Sequence, residues 1–202
     1  MTDTMPFVSY TGFQGHRRLA SGAPHVVALA VKLAAEQGGM RPIVVFDDST
    51  GRSIDLDTRG SDEDVFARYA SMSIPDESAP SVNVDAPRGR GRPKLGVVAR
   101  EVTLLPRHWE WLESQPGGPS VTLRKLVDEA RRTHGDRDKL RARQERAYHF
   151  MSAIGGNLPG FEEATRALFA NDPAKFTQYM AEWPGDVRDH AMRLAFAEER
   201  SS

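Results

Sequence analysis

Short apolar runs alternate with turn-forming residues over the first third of the chain, and this pattern predicts strands. The runs cover residues 7–10, 17–20, 42–46 and 52–56, each with the length and boundaries of a short strand. Apolar residues also recur at helical spacing from Pro24 to Gly38 and from Asp62 to Ser71. We therefore predict a small α+β domain over residues 1–73, sandwich-like and with the element order ββαββα.

The pattern changes over residues 74–96. Pro75, Pro80, Pro87 and Pro93 are spread among Ser, Asn, Asp and Gly residues. So little apolar surface cannot offset the entropy cost of ordering the chain. We predict a flexible linker between two folded parts.

Residues 97–134 combine a strand-like segment with two helices. Val97 to Leu105 reads as a strand, Pro106 starts a short helix, and a Gly-rich turn precedes a second helix from Ser120 to about Thr133. This order resembles the ribbon-helix-helix fold, in which two chains pair their strands in a major groove and a helix N-terminus faces a phosphate. The resemblance implies a homodimer. The alternative is a hairpin that packs only within its own chain.

The remaining segment, residues 135–202, has the pattern of a helical bundle. We predict a basic helix over 138–154 and three shorter helices over 159–170, 173–182 and 184–197, each starting near a proline. Apolar and aromatic residues at helical spacing, Phe169 and Tyr179 among them, are predicted to fill the bundle core.

Charge is distributed unevenly along the chain, although the totals of 27 Lys/Arg and 28 Asp/Glu nearly balance. Residues 86–146 carry 15 basic against 8 acidic residues, whereas the segments before and after carry 7 against 12 and 5 against 8. A polyanion responds to local charge, because salt screens charges beyond about 10 Å. The middle of the chain is therefore a candidate nucleic-acid surface.

The arm, Arg88-Gly89-Arg90-Gly91-Arg92-Pro93-Lys94, is the most basic part of this segment. Its core resembles an AT-hook, whose arginines enter the narrow, strongly negative minor groove of A·T-rich DNA. We therefore predict a DNA-binding protein, a regulator or nucleoid-associated factor. The residues assigned to DNA contact are Arg88, Arg90, Gly91, Arg92, Pro93 and Lys94 in the arm and Arg100, Thr103, Ser120, Arg124 and Lys125 beyond it. The alternative is a protein-interaction adaptor in which the arm is a tether.

Other chemistries find little support in the sequence. The chain has no cysteine, which excludes disulfides and thiolate metal sites, and no N-terminal or apolar segment predicts export or a membrane span. His190, with Asp186 and Asp189 nearby, is the nearest approach to an acid/base group, and we expect no enzyme activity and no cofactor. Acidic residues at 47, 48, 55 and 57 fit hairpin turns better than a cation site. We expect a cytoplasmic protein.

Several strings of residues resemble the bacterial domain-of-unknown-function family 2239. They are Gly22-Ala23-Pro24, Val45-Phe46-Asp47-Asp48-Ser49-Thr50-Gly51-Arg52, Arg59-Gly60-Ser61, the stretch from Gly91 to Trp109, and Trp183-Pro184-Gly185-Asp186-Val187-Arg188. The resemblance extends over nearly the whole chain and implies no particular activity.

Overall fold

The chain forms two compact units, which a computed structural model describes over residues 9–70, 98 and 100–197. The first unit joins residues 1–77 with residues 139–202, and the central unit comprises residues 78–138. The predicted linker over 74–96, the arm within it and the start of the first predicted strand lie outside the described residues.

A four-stranded antiparallel sheet forms the middle of the first unit. Its strands are β1 (Tyr10–Gln14), β2 (Arg17–Gly22), β3 (Ile43–Asp47) and β4 (Ser53–Ile54), in the order β2-β1-β3-β4. Within the described residues the first strand begins at Tyr10, and the turn to β2 lies at Gly15 and His16. Gly12 lies inside β1, where a side chain would press on Val27 and Val31.

The two faces of the sheet are covered by different helices, because side chains alternate between the faces along each strand. Tyr10 and Val45 pack with Val27 of α1 (Pro24–Glu36). Helix α2 (Asp62–Ala70) packs beside α1 through Val65 and Tyr69. Phe13 and Phe46 point to the opposite face and enter the main core. The fold class is therefore α+β, as predicted.

The helices that follow are α3 (Pro106–Glu113), α4 (Gly118–Gly155), α5 (Phe161–Phe169), α6 (Pro173–Tyr179) and α7 (Gly185–Phe196). The predicted break between two helices near residues 134–137 is wrong, because α4 is continuous. Only Gly135 disfavours helix there, and one such glycine costs about 1 kcal/mol, which the good helix formers around it offset. Residues 98 and 100–105 are not in a strand, and no partner strand exists among the described residues of their unit.

The C-terminal helices and the sheet share one hydrophobic core. Phe150 of α4 contacts both Phe13 and Phe46, with ring centroids 5.4 and 4.9 Å apart. Trp183, which precedes α7, is buried and donates from Nε1 to the Pro159 carbonyl at 2.8 Å. Phe169 and Tyr179 were predicted to be core residues, but they are 51% and 38% exposed. Both residues therefore lie at the surface and outside this core.

Candidate functional site

A polar cluster is buried where α7 crosses the sheet. Asp48 directly follows β3, Thr11 lies on β1, and His190 and Arg193 lie one turn apart on α7. The His190 side chain is fully buried, and its Nε2 lies 3.4 Å from Asp48 Oδ1. These four side chains join the first part of the chain to its last helix.

Arg193 determines the tautomer of His190. Its Nη2 lies 2.8 Å from His190 Nδ1 and 3.1 Å from both Asp48 Oδ2 and Thr11 Oγ1. A guanidinium group can only donate, so Nδ1 must accept the hydrogen bond. The neutral imidazole therefore carries its hydrogen on Nε2, the ring atom beside Asp48 Oδ1, although neither of these two buried atoms makes a hydrogen bond. At 3.4 Å this contact is longer than an ordinary N–H···O bond.

Hydroxyl groups complete the surroundings of Asp48. Ser9 and Thr11 both donate to Oδ2, at 2.9 and 3.0 Å, and Ser21 lies 3.0 Å from the Thr11 hydroxyl. Since the Thr11 hydrogen points to Asp48, Ser21 donates to Thr11. The carboxylate oxygen Oδ2 thus accepts from two hydroxyls and one guanidinium.

Burial and hydrogen bonding act in opposite directions on the two titratable groups. Burial lowers the pKa of His190, the Asp48 carboxylate offsets only part of this, and the charges of Arg193 and Arg18 lower the pKa further. Burial alone would raise the pKa of Asp48, but the contact with His190, the hydrogen bond from Ser9 and the charge of Arg193 keep the pKa below its usual value. The fold therefore holds a neutral histidine beside an ionised aspartate.

The buried position limits what His190 can do chemically. Phe13 and Phe150 cover the ring, with centroids 5.4 and 4.5 Å from it, and no part of the imidazole is exposed. The cluster therefore fixes α7 on the sheet, and its imidazole does not meet solvent in this conformation. Asp48, and neither Asp186 nor Asp189, is the carboxylate beside His190.

The acidic residues of the β3–β4 hairpin serve local contacts. Asp47 accepts from the backbone N–H and hydroxyl of Ser49 at 2.8 and 2.7 Å, and Asp57 forms an ion pair with Arg59 at 2.9 Å. Within residues 9–70, 98 and 100–197, no three His, Cys, Asp or Glu side chains are arranged to hold a metal ion.

The predicted DNA-contact residues fall into two groups. Arg88, Arg90, Gly91, Arg92, Pro93 and Lys94 lie outside the described residues. Arg100 and Thr103 are exposed on a segment without strand pairing, and Arg124 and Lys125 are exposed on α4. The structure does not bring Arg100 and Thr103 together on a ribbon within this chain.

Ser120 lies inside α4 and is not at its N-cap as predicted. The helix begins at Gly118, and Gly117 and Gly118 both have positive φ, of 93° and 74°. Such a backbone favours glycine, and Pro119 then suits the first helical turn. The two glycines move the start of the helix ahead of Ser120.

Charge in the described part of the central unit is balanced. Residues 98 and 100–138 contain seven Lys/Arg and seven Asp/Glu. The excess positive charge found over residues 86–146 therefore comes from the arm and from residues 139–146. A narrower sequence window would have separated these contributions.

Two of the strings that resemble family 2239 belong to the first unit. The string from Val45 to Arg52 ends β3 and contains Asp48, whereas the string from Trp183 to Arg188 leads into α7. The model of the family described as "Uncharacterized protein conserved in bacteria (DUF2239)" matches residues 9–195. The chain belongs to this family.

The DUF2239 match runs from the residue before β1 into the last turns of α7. No curated protein and no solved structure matches the chain significantly. Among the described residues of this DUF2239 chain, no helix has the length and apolar character needed to cross a membrane.

Sequence reasoning missed the pairing of Asp48 with His190. One signal for it exists in the sequence: His190 shares a helical stripe with Val187, Ala191 and Leu194, so its side chain must be buried and must have a polar partner. The partner itself could not be chosen, because many aspartates precede it in the DUF2239 chain.

Proposed function

We propose that this protein binds DNA, with the arm in the minor groove and exposed cations of α4 on the phosphate backbone. The composition of the arm carries the proposal: it has four cations, three of them alternating with glycine, and no acidic residue. Glycine lets the backbone approach the groove, and arginine suits the negative potential of a narrow A·T-rich groove.

The exposed cations of α4 support the second part of the proposal. Arg124 and Arg131, and likewise Lys125 and Arg132, are seven residues apart and exposed, so each pair lies on one side of the helix about 10 Å apart. Asp128 and Glu129 lie between them, and Glu129 forms an ion pair with Arg132 at 2.9 Å. These acidic residues reduce the attraction of α4 for DNA phosphates, so under this proposal the arm provides most of the affinity for DNA.

Fluorescence anisotropy with A·T-rich and G·C-rich duplexes, each at about 50 and 200 mM salt, tests the proposal. We expect the intact protein to prefer the A·T-rich duplex and Arg90→Ala with Arg92→Ala to abolish that preference. The matched variant, Arg131→Ala with Arg132→Ala, removes the same amount of charge from α4 and should weaken binding to both duplexes equally. Absence of binding by the intact protein at low salt would overturn the proposal.

We also propose that the central unit associates with a second copy of the chain. Val98, Val102 and Leu105 are 72%, 52% and 49% exposed, and Leu112 is the only buried apolar side chain among residues 98 and 100–138. A segment with exposed apolar side chains can pair with its own copy about a two-fold axis. Light scattering should give about twice the chain mass of 22.4 kDa, and a monomer at high concentration would refute the pairing.

The second candidate function is a protein-interaction adaptor, and further exposed apolar side chains of the central unit favour it. Trp111, Leu126 and Val127 are 51%, 46% and 55% exposed, and aromatic and aliphatic anchors are typical of protein interfaces. An adaptor would leave both duplexes unbound at low salt and would stay monomeric without its partner.

A further inference from the structure

A surface recess of about 460 Å³ opens beside the turn between β1 and β2. It is lined by His16 and Arg17 from that turn, Arg41 from the segment before β3, and Pro184, Gly185 and Asp186 at the start of α7. Three nitrogen-bearing side chains therefore meet at one opening. The volume falls within the range of small-molecule sites, roughly 300–1,000 Å³.

The two arginines of the recess carry charge that no carboxylate neutralises. Among the described residues, neither Arg17 nor Arg41 has an acidic side chain within ion-pair distance. A second recess, between α5 and α6, provides the contrast. There Arg166 pairs with Glu162 at 3.3 Å and Lys175 with Asp172 at 3.2 Å. The first recess is the one whose cations are available to a ligand.

The backbone holds these side chains in place. Gly15 donates to the Pro42 carbonyl at 2.9 Å, which ties the β1–β2 turn to the segment that carries Arg41. The stem of Arg41 lies against Gly15, with its Cδ 2.8 Å from the position that a Cβ would take. The stem of Arg41 therefore lies beside the turn that carries His16 and Arg17.

Asp186 contributes the only negative charge to the lining. One of its oxygens, Oδ2, accepts from the backbone N–H of Arg18 at 2.9 Å. Two guanidinium groups and one imidazole face this single carboxylate, so the recess favours an anion. Asp186 weakens that preference and sets a limit on affinity.

We propose that this recess binds the phosphate group of a small phosphorylated molecule. Guanidinium groups match the geometry of phosphate oxygens and remain charged at every physiological pH. The nearby start of α7 contributes in the same direction, since Pro184 offers no side-chain cap to it. The proposal does not depend on DNA binding by the arm, because its lining residues belong to the first unit.

Isothermal titration of the full chain with inorganic phosphate tests this proposal. Arg17→Ala with Arg41→Ala should weaken binding at least about tenfold, since the two charged donors to the phosphate are lost. Arg166→Ala with Lys175→Ala removes the same charge at the second recess and should leave the affinity unchanged. Equal losses in the two double variants, or no binding by the parent protein, would overturn the proposal.

Asp186→Asn provides a test with the opposite sign. The amide oxygen can still accept from Arg18, so the melting temperature should change little, while loss of the negative charge should tighten phosphate binding by roughly threefold. Weaker binding in this variant would contradict the assignment of Asp186 as an opposing charge.

A short A·T-rich duplex distinguishes a free phosphate from a nucleic-acid phosphate. Under the proposal, Arg17→Ala with Arg41→Ala loses inorganic phosphate but keeps the duplex affinity of the parent protein. If that variant loses the duplex while the parent fails to bind inorganic phosphate, the recess is part of a nucleic-acid surface and the proposal is wrong.

Discussion

His190 Nε2 lies 3.4 Å from Asp48 Oδ1, although 141 residues separate the two in the sequence. Asp48 directly follows the strand β3, and His190 lies in the middle of α7. Arg193 bonds to both side chains, at 2.8 and 3.1 Å. The last helix is therefore attached to the sheet by charge-assisted contacts as well as by apolar packing, and each group in the cluster depends on the others.

This cluster predicts a loss of stability in mild acid. The folded-state pKa of His190 is lowered from 6.5, so the unfolded chain takes up a proton that the folded chain resists. The contribution of His190 to the free energy of unfolding should be present above pH 6.5 and should be lost as the pH falls below that value, with a slope of at most about 1.4 kcal/mol per pH unit. Asp48, whose pKa is also lowered, adds a further loss only near pH 3.8 and below. Urea unfolding at several pH values measures the slope.

The variant His190→Gln distinguishes the contribution of this histidine to the pH dependence of stability from that of the five others. Glutamine keeps a donor and an acceptor but does not titrate, so the variant should be less stable at pH 7.5 and show a flatter dependence on pH. His134 is exposed on α4, and His134→Gln should keep the parent slope. If His190→Gln keeps the pH dependence of the parent protein, another group causes the loss of stability in acid.

Arg193→Met should destabilise the fold by about 2 kcal/mol. The change leaves His190 Nδ1 and one Asp48 oxygen without a charged donor, while methionine preserves much of the apolar stem. The estimate lies below that for a fully buried pair because the Arg193 side chain is 42% exposed. Arg188 lies on the same helix and pairs only with its neighbour Asp189 at 3.2 Å. Arg188→Met should therefore cost much less, and equal costs in chemical unfolding would argue against a special role for Arg193.

Gly51→Ala should prevent folding or cost at least about 4 kcal/mol. Gly51 has a φ of 67°, and a Cβ there would overlap the backbone carbonyl oxygen of Arg146 on α4. Gly38 has nearly the same φ, 69°, but open space around its Cβ position. Gly38→Ala should therefore cost only the energy of the strained backbone, about 1–2 kcal/mol. Thermal unfolding of both variants then distinguishes this backbone strain from the additional cost of steric overlap at Gly51. Similar melting temperatures would show that the loop moves away from α4.

Local patterns in the sequence predicted the elements better than their contacts. Pro24, Pro106 and Pro173 start helices as predicted, because proline suits a first helical turn wherever the helix packs. The pattern could not show that the C-terminal helices pack on the sheet, since apolar residues at helical spacing fit any apolar surface. It also could not pair Asp48 with His190, because hydrogen bonding between distant residues leaves no periodic signal.

The continuous helix α4 leads to a final prediction at the site of its predicted break. Gly135 is helical, and apart from its chain neighbours and the backbone of its own helix no atom lies within 4 Å of the position its Cβ would take. Gly135→Ala should therefore stabilise the helix by about 1 kcal/mol through its effect on backbone entropy. Ala142 is exposed on the same helix, and Ala142→Gly should cost a similar amount. Hydrogen exchange should show slower exchange of the amides around residue 135 in the first variant and faster exchange around residue 142 in the second. Unchanged exchange around residue 135 would mean that the chain turns there in solution and that two separate helices exist, as the sequence pattern predicted.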